Sequence, residues 1–231
     1  MIFSNPFYFS CFFLLFLALN FSCQDTKKKN NSDKSANQHM HKSDFDELAA
    51  RFESPEREGW QQPDEVIKRL EISGGETIAD IGAGTGYFSF RIAERGAKVI
   101  AKDVDERFID FIRKKKAELN DSLVQPQLVK YDDPLFTENE VDAVIIVNTY
   151  HHIENRIDYF RKVFKGIRPG GTLLVVDFKK EETAHGPPVE MRLAGFQVIK
   201  ELQRLGFSKT IIYANTLKEQ YIITAKKAEE I

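Results

Sequence analysis

Residues 77–86 read Thr-Ile-Ala-Asp-Ile-Gly-Ala-Gly-Thr-Gly, a short apolar run that ends in a glycine-rich turn. Glycines occupy the alternate positions Gly82, Gly84 and Gly86. A buried strand that runs into such a turn lets a flat, polar nucleoside-type ligand lie against bare backbone. The dinucleotide fingerprint G-x-G-x-x-G needs glycine at position 87, which is Tyr87 here. The spacing therefore disfavours a nicotinamide cofactor.

The overall composition fits one α/β domain behind an atypical N-terminal stretch. The chain has 231 residues and a formal net charge of −2. A nucleic-acid partner is disfavoured, because proteins that wrap nucleic acid are strongly basic. Both cysteines, Cys11 and Cys23, lie in the N-terminal stretch. The predicted domain therefore has no disulfide framework, no thiolate metal site and no cysteine nucleophile.

The first 23 residues carry no charged side chain, and residues 12–19 are apolar throughout. Their length predicts a signal peptide or membrane anchor over residues 1–23. Ser22-Cys23 resembles a bacterial lipoprotein cleavage site, in which Cys23 would become the lipidated N-terminus. Lysines at 27–29, by the positive-inside rule, favour a cytoplasmic position for the rest of the chain. Two locations stay open: a lipoprotein outside the inner membrane, or an anchored protein with its domain in the cytoplasm.

Residues 24–44 contain almost no apolar side chain and predict a disordered polar tether. Helical periodicity begins after the tether, where Phe45, Leu48 and Phe52 would share one face of a helix. A second helix is predicted from Asp64, because acidic residues fill its first turn.

From residue 77 onward, strand and helix patterns alternate. Continuous apolar runs such as residues 144–147 and 173–176 are typical of strands buried on both faces. The alternation predicts a parallel sheet, and the short turn between the last two strands makes them antiparallel neighbours. The fold class is therefore α/β, a doubly wound, mostly parallel seven-stranded sheet with a C-terminal antiparallel hairpin. The predicted strands are 77–81, 98–103, 126–131, 141–147, 172–178, 209–215 and 219–226, and the predicted helices are 86–95, 106–119, 154–167 and 189–205.

Acidic residues follow the predicted strands at the carboxyl edge, where doubly wound sheets bind their ligands. Asp103 lies 21 residues after Gly82, where a carboxylate accepts ribose hydroxyls in nucleotide-binding α/β units. Asp105 is its competitor, and we expect it to cap the next helix instead. Asp132 and Asp133 follow the third strand, and Asp132 is the better ligand candidate because it is nearer the strand end.

The segment Asn148-Thr149-Tyr150-His151-His152 follows the fourth strand and should face the reacting group. Tyr150 or either histidine could orient or deprotonate an acceptor, so these three are the candidate catalytic residues. Adjacent histidines on a loop are expected to point apart, so a shared metal ion is not expected and no metal is assigned. His185, in the loop after the fifth strand, is a second possible acceptor-side residue.

Together these features resemble the class I S-adenosylmethionine-dependent methyltransferases, of the bacterial small-molecule type. The resemblance covers about residues 55–226 and is carried by Asp80 before the glycine turn, by Asp103 and by the Pro-Gly-Gly turn at 169–171. It implies S-adenosylmethionine as cofactor, with Asp132 at the adenine amine. The cofactor-binding residues it implies are Asp80, Gly82, Gly84, Gly86, Asp103, Asp132 and Asn148.

The resemblance also implies a domain plan and a reaction. Residues 45–76 become an N-terminal helical lid region and residues 77–231 the catalytic domain, with Trp60 and His185 on the substrate side. A core position is the alternative for Trp60. The implied reaction is in-line methyl transfer to a small-molecule acceptor, which needs a base only for a hydroxyl or carbon acid. The alternative is a non-catalytic, membrane-tethered binding module that keeps the fold; the acceptor and the oligomeric state stay open.

Overall fold

The computed structural model of this chain describes residues 1–2 and 44–229. The predicted signal or anchor, the predicted lipidation of Cys23 and nearly all of the polar tether therefore lie outside the described residues. Within the described ranges, no helix combines the length and the apolar character needed to cross a bilayer.

Seven strands and seven helices make up the described part of the chain. The strands are β1 (Thr77–Ile81), β2 (Lys98–Asp103), β3 (Val124–Leu128), β4 (Val141–Val147), β5 (Ile167–Phe178), β6 (Ser208–Tyr213) and β7 (Gln220–Lys226). The helices are α1 (Phe45–Phe52), α2 (Glu56–Gln61), α3 (Pro63–Ile67), α4 (Tyr87–Ala93), α5 (Glu106–Glu118), α6 (Arg156–Gly166) and α7 (Gly195–Arg204). Short 3₁₀ turns cover Lys68–Leu70, Tyr150–His152 and Val189–Met191.

The strands form one sheet in the order β3-β2-β1-β4-β5-β7-β6. β1 to β5 run parallel, and β7 pairs antiparallel with both β5 and β6. The fold class predicted from the sequence is confirmed. The strand order reverses between β1 and β4, so the crevice at their carboxyl ends is the expected ligand position. Val147 pairs with Val176, which places Asn148 and Asp177 side by side at that edge.

The sheet is buried on both faces, as its continuous apolar strands predicted. Ile145 and Ile146 are adjacent on β4, fully buried, and belong to separate hydrophobic clusters. Helices α3, α4 and α5 supply side chains to the cluster on one face, and α6 and α7 supply them to the other. This double burial fixes the strands as a rigid platform whose carboxyl edge carries the site.

The main differences between the predicted and the observed boundaries lie in β3, β5 and α7. β3 begins earlier than predicted, because Val124 already pairs with Val99 of β2. β5 begins at Ile167, which pairs with Val141 before the Pro-Gly-Gly segment bulges out of register. The predicted helix at 189–205 is broken before Gly195, because the buried Arg192 donates hydrogen bonds to the preceding loop and holds that segment extended.

Candidate active site

The glycine turn joins β1 to α4 and is packed tightly against two other segments. Gly82 has a φ of 71°, and an added Cβ there would lie 2.3 Å from the hydroxyl of Thr149. Gly84 faces the N-terminal helices, where an added Cβ would lie 3.1 Å from the Phe52 ring. Larger residues would therefore separate the turn from the loop after β4 and from α1.

Asp103 ends β2 with its carboxylate directed at the glycine turn. Its Oδ2 accepts the backbone N–H of Gly84 at 2.8 Å, and its Oδ1 accepts that of Asp105 at 3.0 Å. Burial raises the pKa of the Asp103 carboxyl. A carboxylate has about four acceptor positions, so two remain for the hydroxyls of a ribose. Asp105 caps α5 by accepting the N–H of Arg107, which confirms the expectation for that residue.

Two further polar groups lie buried beside the turn. Asp80 accepts a hydrogen bond from the Ser89 hydroxyl at 2.6 Å. Burial raises the pKa of the Asp80 carboxyl to about 6, against the opposing hydrogen bond from Ser89. The buried hydroxyl of Thr85 has no hydrogen-bond partner in the described part of the chain. A buried polar group without a hydrogen bond costs about 1–3 kcal/mol of stability. A ligand that hydrogen-bonds to the Thr85 hydroxyl would remove this cost.

Asn148 follows β4 in the left-handed conformation, with a φ of 56°, which asparagine tolerates better than most residues. Its backbone N–H donates to the carbonyl of Val176 at 2.9 Å. Its side-chain oxygen accepts a hydrogen bond from Gln220, whose own oxygen accepts one from Gln61 at 3.2 Å. Both glutamines are fully buried. The chain of amides therefore ties the lid region to the carboxyl edge of the sheet.

His151 and Asp177 form a buried pair at the ends of β4 and β5. Nδ1 of His151 lies 2.9 Å from each carboxylate oxygen of Asp177, and the His151 backbone N–H donates to Oδ2 at 3.2 Å. An ionised carboxylate can only accept, so this geometry assigns the imidazole proton to Nδ1. Nε2 then keeps its lone pair, and the pair has the form of an oriented general base.

The two adjacent histidines lie close together. Their ring centroids are 4.2 Å apart, so the expectation that they point apart is wrong. The segment forms a 3₁₀ turn rather than an extended loop, and a helical turn does not send successive side chains to opposite faces. Burial, together with the neighbouring His151, lowers the pKa of His152 to about 4, so His152 is neutral at pH 7. The described residues contain no group of three or more His, Cys, Asp or Glu side chains suited to a metal ion.

Two predicted site residues lie away from this pair. Tyr150 is fully buried in the core, where its hydroxyl donates to Glu201 at 2.9 Å and its ring stacks on Phe160. Asp132 is exposed, and its carboxylate has no hydrogen bond to the residues that the structure describes, while its carbonyl accepts from Lys162. We therefore leave Tyr150 and Asp132 out of the proposed site.

The two predicted substrate-side residues are in direct contact. Trp60 of α2 stacks on His185 with ring centroids 4.7 Å apart and planes 12° apart, and it also stacks on Phe178 at 5.8 Å. His185 is held by Glu219, whose Oε2 lies 3.0 Å from Nδ1 and 2.9 Å from the backbone nitrogen. Phe178 directly follows Asp177, so this aromatic stack is adjacent in the chain to the carboxylate of the His151–Asp177 pair.

Asp177, Gln61 and Gln220 were not predicted as site residues. Asp177 ends a predicted strand, so the strand-end rule that selected Asp103 would also have selected it. The two glutamines carry no comparable signal, because nothing in a single sequence shows that a glutamine is buried or what it contacts.

A family model described as a methyltransferase domain matches residues 79–173. This range includes the glycine turn, Asp103 and the segment from Asn148 to His152. Residues 79–173 are therefore similar to a methyltransferase domain. The matched range ends within β5, and the described structure continues the same sheet through the C-terminal hairpin.

Curated methyltransferases match about half of the chain. Phosphoethanolamine N-methyltransferase 1 of Arabidopsis thaliana is 26% identical over 121 residues, which are 52% of this chain and 24% of that protein. Demethylmenaquinone methyltransferase of Tropheryma whipplei is 28% identical over 113 residues, which are 49% of this chain and 46% of that protein. The alignments thus cover between a quarter and a half of these relatives.

Solved structures share the fold. A SAM-dependent methyltransferase from Aquifex aeolicus superimposes with a TM-score of 0.72 at 24% identity, covering 80% of this chain and 99% of that chain. Phosphoethanolamine N-methyltransferase 2 of Haemonchus contortus, in complex with S-adenosyl-L-methionine, gives 0.64 at 14% identity, covering 74% and 53%. The [4+2]-cyclase SpnF gives 0.65 at 17% identity, covering 74% and 81%. A shared fold therefore does not by itself fix the reaction.

The donor set at the carboxyl edge fits S-adenosyl-L-methionine, the ligand bound in the Haemonchus contortus structure. Asp103 has acceptor positions left for ribose hydroxyls, and Thr85 offers a buried hydroxyl that no described residue satisfies. Asp80, with its raised pKa, lies where a cationic group would favour the ionised carboxylate.

Proposed function

We propose that this protein transfers the methyl group of S-adenosylmethionine to a small-molecule acceptor that loses a proton in the reaction. The observation that carries the proposal is the buried His151–Asp177 pair, which stands at the same edge of the sheet as the glycine turn and Asp103. These groups come from four different strands, so the fold rather than local sequence assembles them.

The residues around the glycine turn would hold the cofactor. When bound, S-adenosylmethionine supplies an electrophilic methyl group on a sulfonium. Asp103 would accept the ribose hydroxyls, and Asn148 would lie nearest the sulfonium, because it follows β4 beside the base. The protein's contribution to an in-line displacement is to align the acceptor with the methyl group and to exclude water.

His151 would take the acceptor's proton. The Asp177 carboxylate fixes the ring and stabilises the imidazolium that forms. A thiolate acceptor needs no such base, whereas a hydroxyl or a carbon acid does. The pair therefore favours an acceptor with an exchangeable proton on oxygen or on an acidic carbon.

The acceptor side favours a flat ring over a phosphorylated amine. Trp60, Phe178 and His185 present stacked rings. The guanidinium of Arg192, 5.3 Å from the centre of the Phe178 ring, donates to five oxygens of the preceding loop and has little capacity left for a phosphate. Among the acceptors that the relatives' names suggest, these contacts support demethylmenaquinone over phosphoethanolamine.

The test is methyl transfer by the full-length protein from S-adenosylmethionine labelled on its methyl group. Reduced demethylmenaquinone, a set of phenols and phosphoethanolamine would each be offered as acceptor. We expect label in a ring acceptor, and His151→Gln should abolish it while leaving S-adenosylhomocysteine binding unchanged. Transfer that persists in His151→Gln would overturn the role of the base.

The second candidate is a binding module that keeps the fold without methyl transfer. A [4+2]-cyclase shares the fold, so the architecture does not by itself imply methyl transfer. Tight binding of S-adenosylhomocysteine without transfer to any acceptor would favour this candidate over the enzyme.

We also propose that the first 23 residues attach the protein to a membrane and that Cys23 is lipidated. The uncharged leader and the Ser22-Cys23 pair support the proposal. Growth with a radioactive fatty acid should label the wild-type protein and not Cys23→Ala. An unlabelled wild-type protein would contradict lipidation.

A further inference from the structure

Arg57 of α2 is a half-buried cation whose partners are all neutral. Its Nε and Nη2 both donate to the side-chain oxygen of Gln61, at 2.9 and 2.6 Å, and its Nη1 donates to the carbonyl of Phe52. The guanidinium also lies 3.8 Å from the centre of the Tyr87 ring. Burial lowers the pKa of Arg57 to about 10, so the group stays charged at neutral pH.

Among the described side chains, Arg57 has no charged partner, unlike Arg91 on the other side of the Tyr87 ring. Arg91 covers the other face of Tyr87, also 3.8 Å from the ring centre, and forms an ion pair with Glu58. Within residues 44–229, no ion pair joins Arg57 to a carboxylate; Glu53 and Asp80 act on it only from a distance. A desolvated charge without a counter-ion is costly, which makes this position one that an anion would stabilise.

The position of Arg57 coincides with one end of the proposed cofactor site. Tyr87 directly follows the glycine turn, Phe52 packs on Gly84, and Gln61 leads through Gln220 to the end of β4. The guanidinium therefore lies between the lid region and the start of α4, which directly follows the glycine turn.

The strand order fixes which part of the cofactor reaches this point. β1 lies between β2 and β4, so a ligand with its ribose at Asp103 and its sulfonium near Asn148 crosses the end of β1. We place its amino-acid end at the glycine turn, where glycine backbone without a Cβ permits close approach. The carboxylate is the only anionic group that the cofactor carries. A guanidinium fork matches a carboxylate in charge and shape.

We infer that Arg57 binds the carboxylate of the amino-acid end of S-adenosylmethionine, so that the lid region itself completes the cofactor site. The inference rests on the proposed function, because it needs that cofactor at the carboxyl edge. It makes residues 45–67 a part of the cofactor site rather than only a cover over it.

Calorimetry with the full-length protein and two ligands tests the inference. One ligand is S-adenosylhomocysteine, and the other is 5′-deoxy-5′-(3-aminopropylthio)adenosine, which lacks only the carboxylate. In the wild-type protein the first should bind more tightly than the second. Arg57→Met should weaken S-adenosylhomocysteine binding about 10- to 100-fold, as expected for hydrogen bonds between charged groups, and leave the second ligand unchanged.

Two further variants make the result specific. Arg91→Met disturbs the same stack on Tyr87 without removing the unpaired guanidinium, so the ratio of the two affinities should not change. Arg57→Lys keeps the positive charge but loses the paired N–H donors of the guanidinium, so the ratio of the two affinities should fall only in part. This variant replaces Arg57→Met if the latter does not fold.

The possible outcomes distinguish a failure of the role given to Arg57 from a failure of the proposed function. If Arg57→Met weakens both ligands equally, or neither, Arg57 has a structural role only and the inference is overturned while the cofactor site stands. If the wild-type protein binds neither ligand, the proposed function fails and the inference fails with it.

Discussion

Nδ1 of His151 lies 2.9 Å from both carboxylate oxygens of Asp177, and both side chains are buried at the carboxyl edge of the sheet. The pair joins the loop after β4 to the end of β5. It fixes the proton on Nδ1 and leaves Nε2 as the basic nitrogen, which is the arrangement that an acceptor with an exchangeable proton requires.

Asp177→Asn should therefore remove the base without removing the histidine. An amide can donate to Nδ1, which moves the imidazole proton to Nε2. We expect kcat to fall about 10²- to 10⁴-fold, the usual contribution of general acid–base catalysis, with S-adenosylhomocysteine affinity unchanged. Glu219→Gln is the matched control, because it alters the other carboxylate–histidine pair, at His185, and should affect KM more than kcat. Equal loss of kcat in both variants would argue against the assignment.

The lowered pKa of His152 predicts that the folded protein loses stability in acid. Its pKa is lowered to about 4 in the folded protein, so between pH 6.5 and 4 the unfolded chain binds the extra proton. The stabilising contribution is complete above pH 6.5 and is lost as the pH falls toward 4, by up to about 3 kcal/mol. Urea titrations should show that His152→Phe depends less on pH than the wild type across this window. Parallel curves for the two proteins would contradict the burial of a neutral His152.

The raised pKa of Asp80 predicts a contribution to stability with the opposite dependence on pH. Its pKa is raised to about 6, so its contribution to stability is present below pH 3.8 and is lost as the pH rises through 6. Asp80→Asn should match the wild type near pH 4 and exceed it above pH 6 by up to about 3 kcal/mol. Urea titrations across pH 4–7 measure the difference, and a difference that does not grow with pH would refute it.

The contacts of Tyr87 predict that this side chain holds the lid region against the glycine turn. Its hydroxyl donates to Glu58 at 2.9 Å, and its ring lies between the guanidinium groups of Arg57 and Arg91. Tyr87→Phe should cost about 1 kcal/mol for the hydrogen bond, and Tyr87→Ala about 3–5 kcal/mol for the lost packing. Hydrogen exchange should show residues 45–67 losing protection in Tyr87→Ala before the sheet does. A lid that keeps its protection in that variant would show that other contacts hold it.

The sequence was sufficient for the topology because the signals there are local. Strand–helix alternation and the short final turn determine a mostly parallel sheet with a hairpin. The strand-end rule placed Asp103 and Asn148 at the correct edge for the same reason. The break before α7 could not be predicted, because Arg192 causes it through bonds to a loop that precedes it.

The acceptor side was harder to predict because its residues act in pairs across the chain. Tyr150 and His151 are neighbours in the sequence, yet their side chains have different partners. Tyr150 lies in the core and donates a hydrogen bond to Glu201, whereas His151 pairs with Asp177. The tight 3₁₀ turn at Tyr150–His152 decides between these directions, and no residue type in the segment signals it. Partners from distant elements determine which side chain reaches the site.

Calorimetric titration of the full-length protein with S-adenosylhomocysteine tests the central claim most directly. We expect micromolar binding by the wild type and a loss of about 10-fold or more in Asp103→Ala, because two hydroxyl hydrogen bonds to a charged group are removed. NADH should not bind. The absence of heat with S-adenosylhomocysteine, or binding that Asp103→Ala leaves unchanged, would contradict a cofactor site at the end of β2.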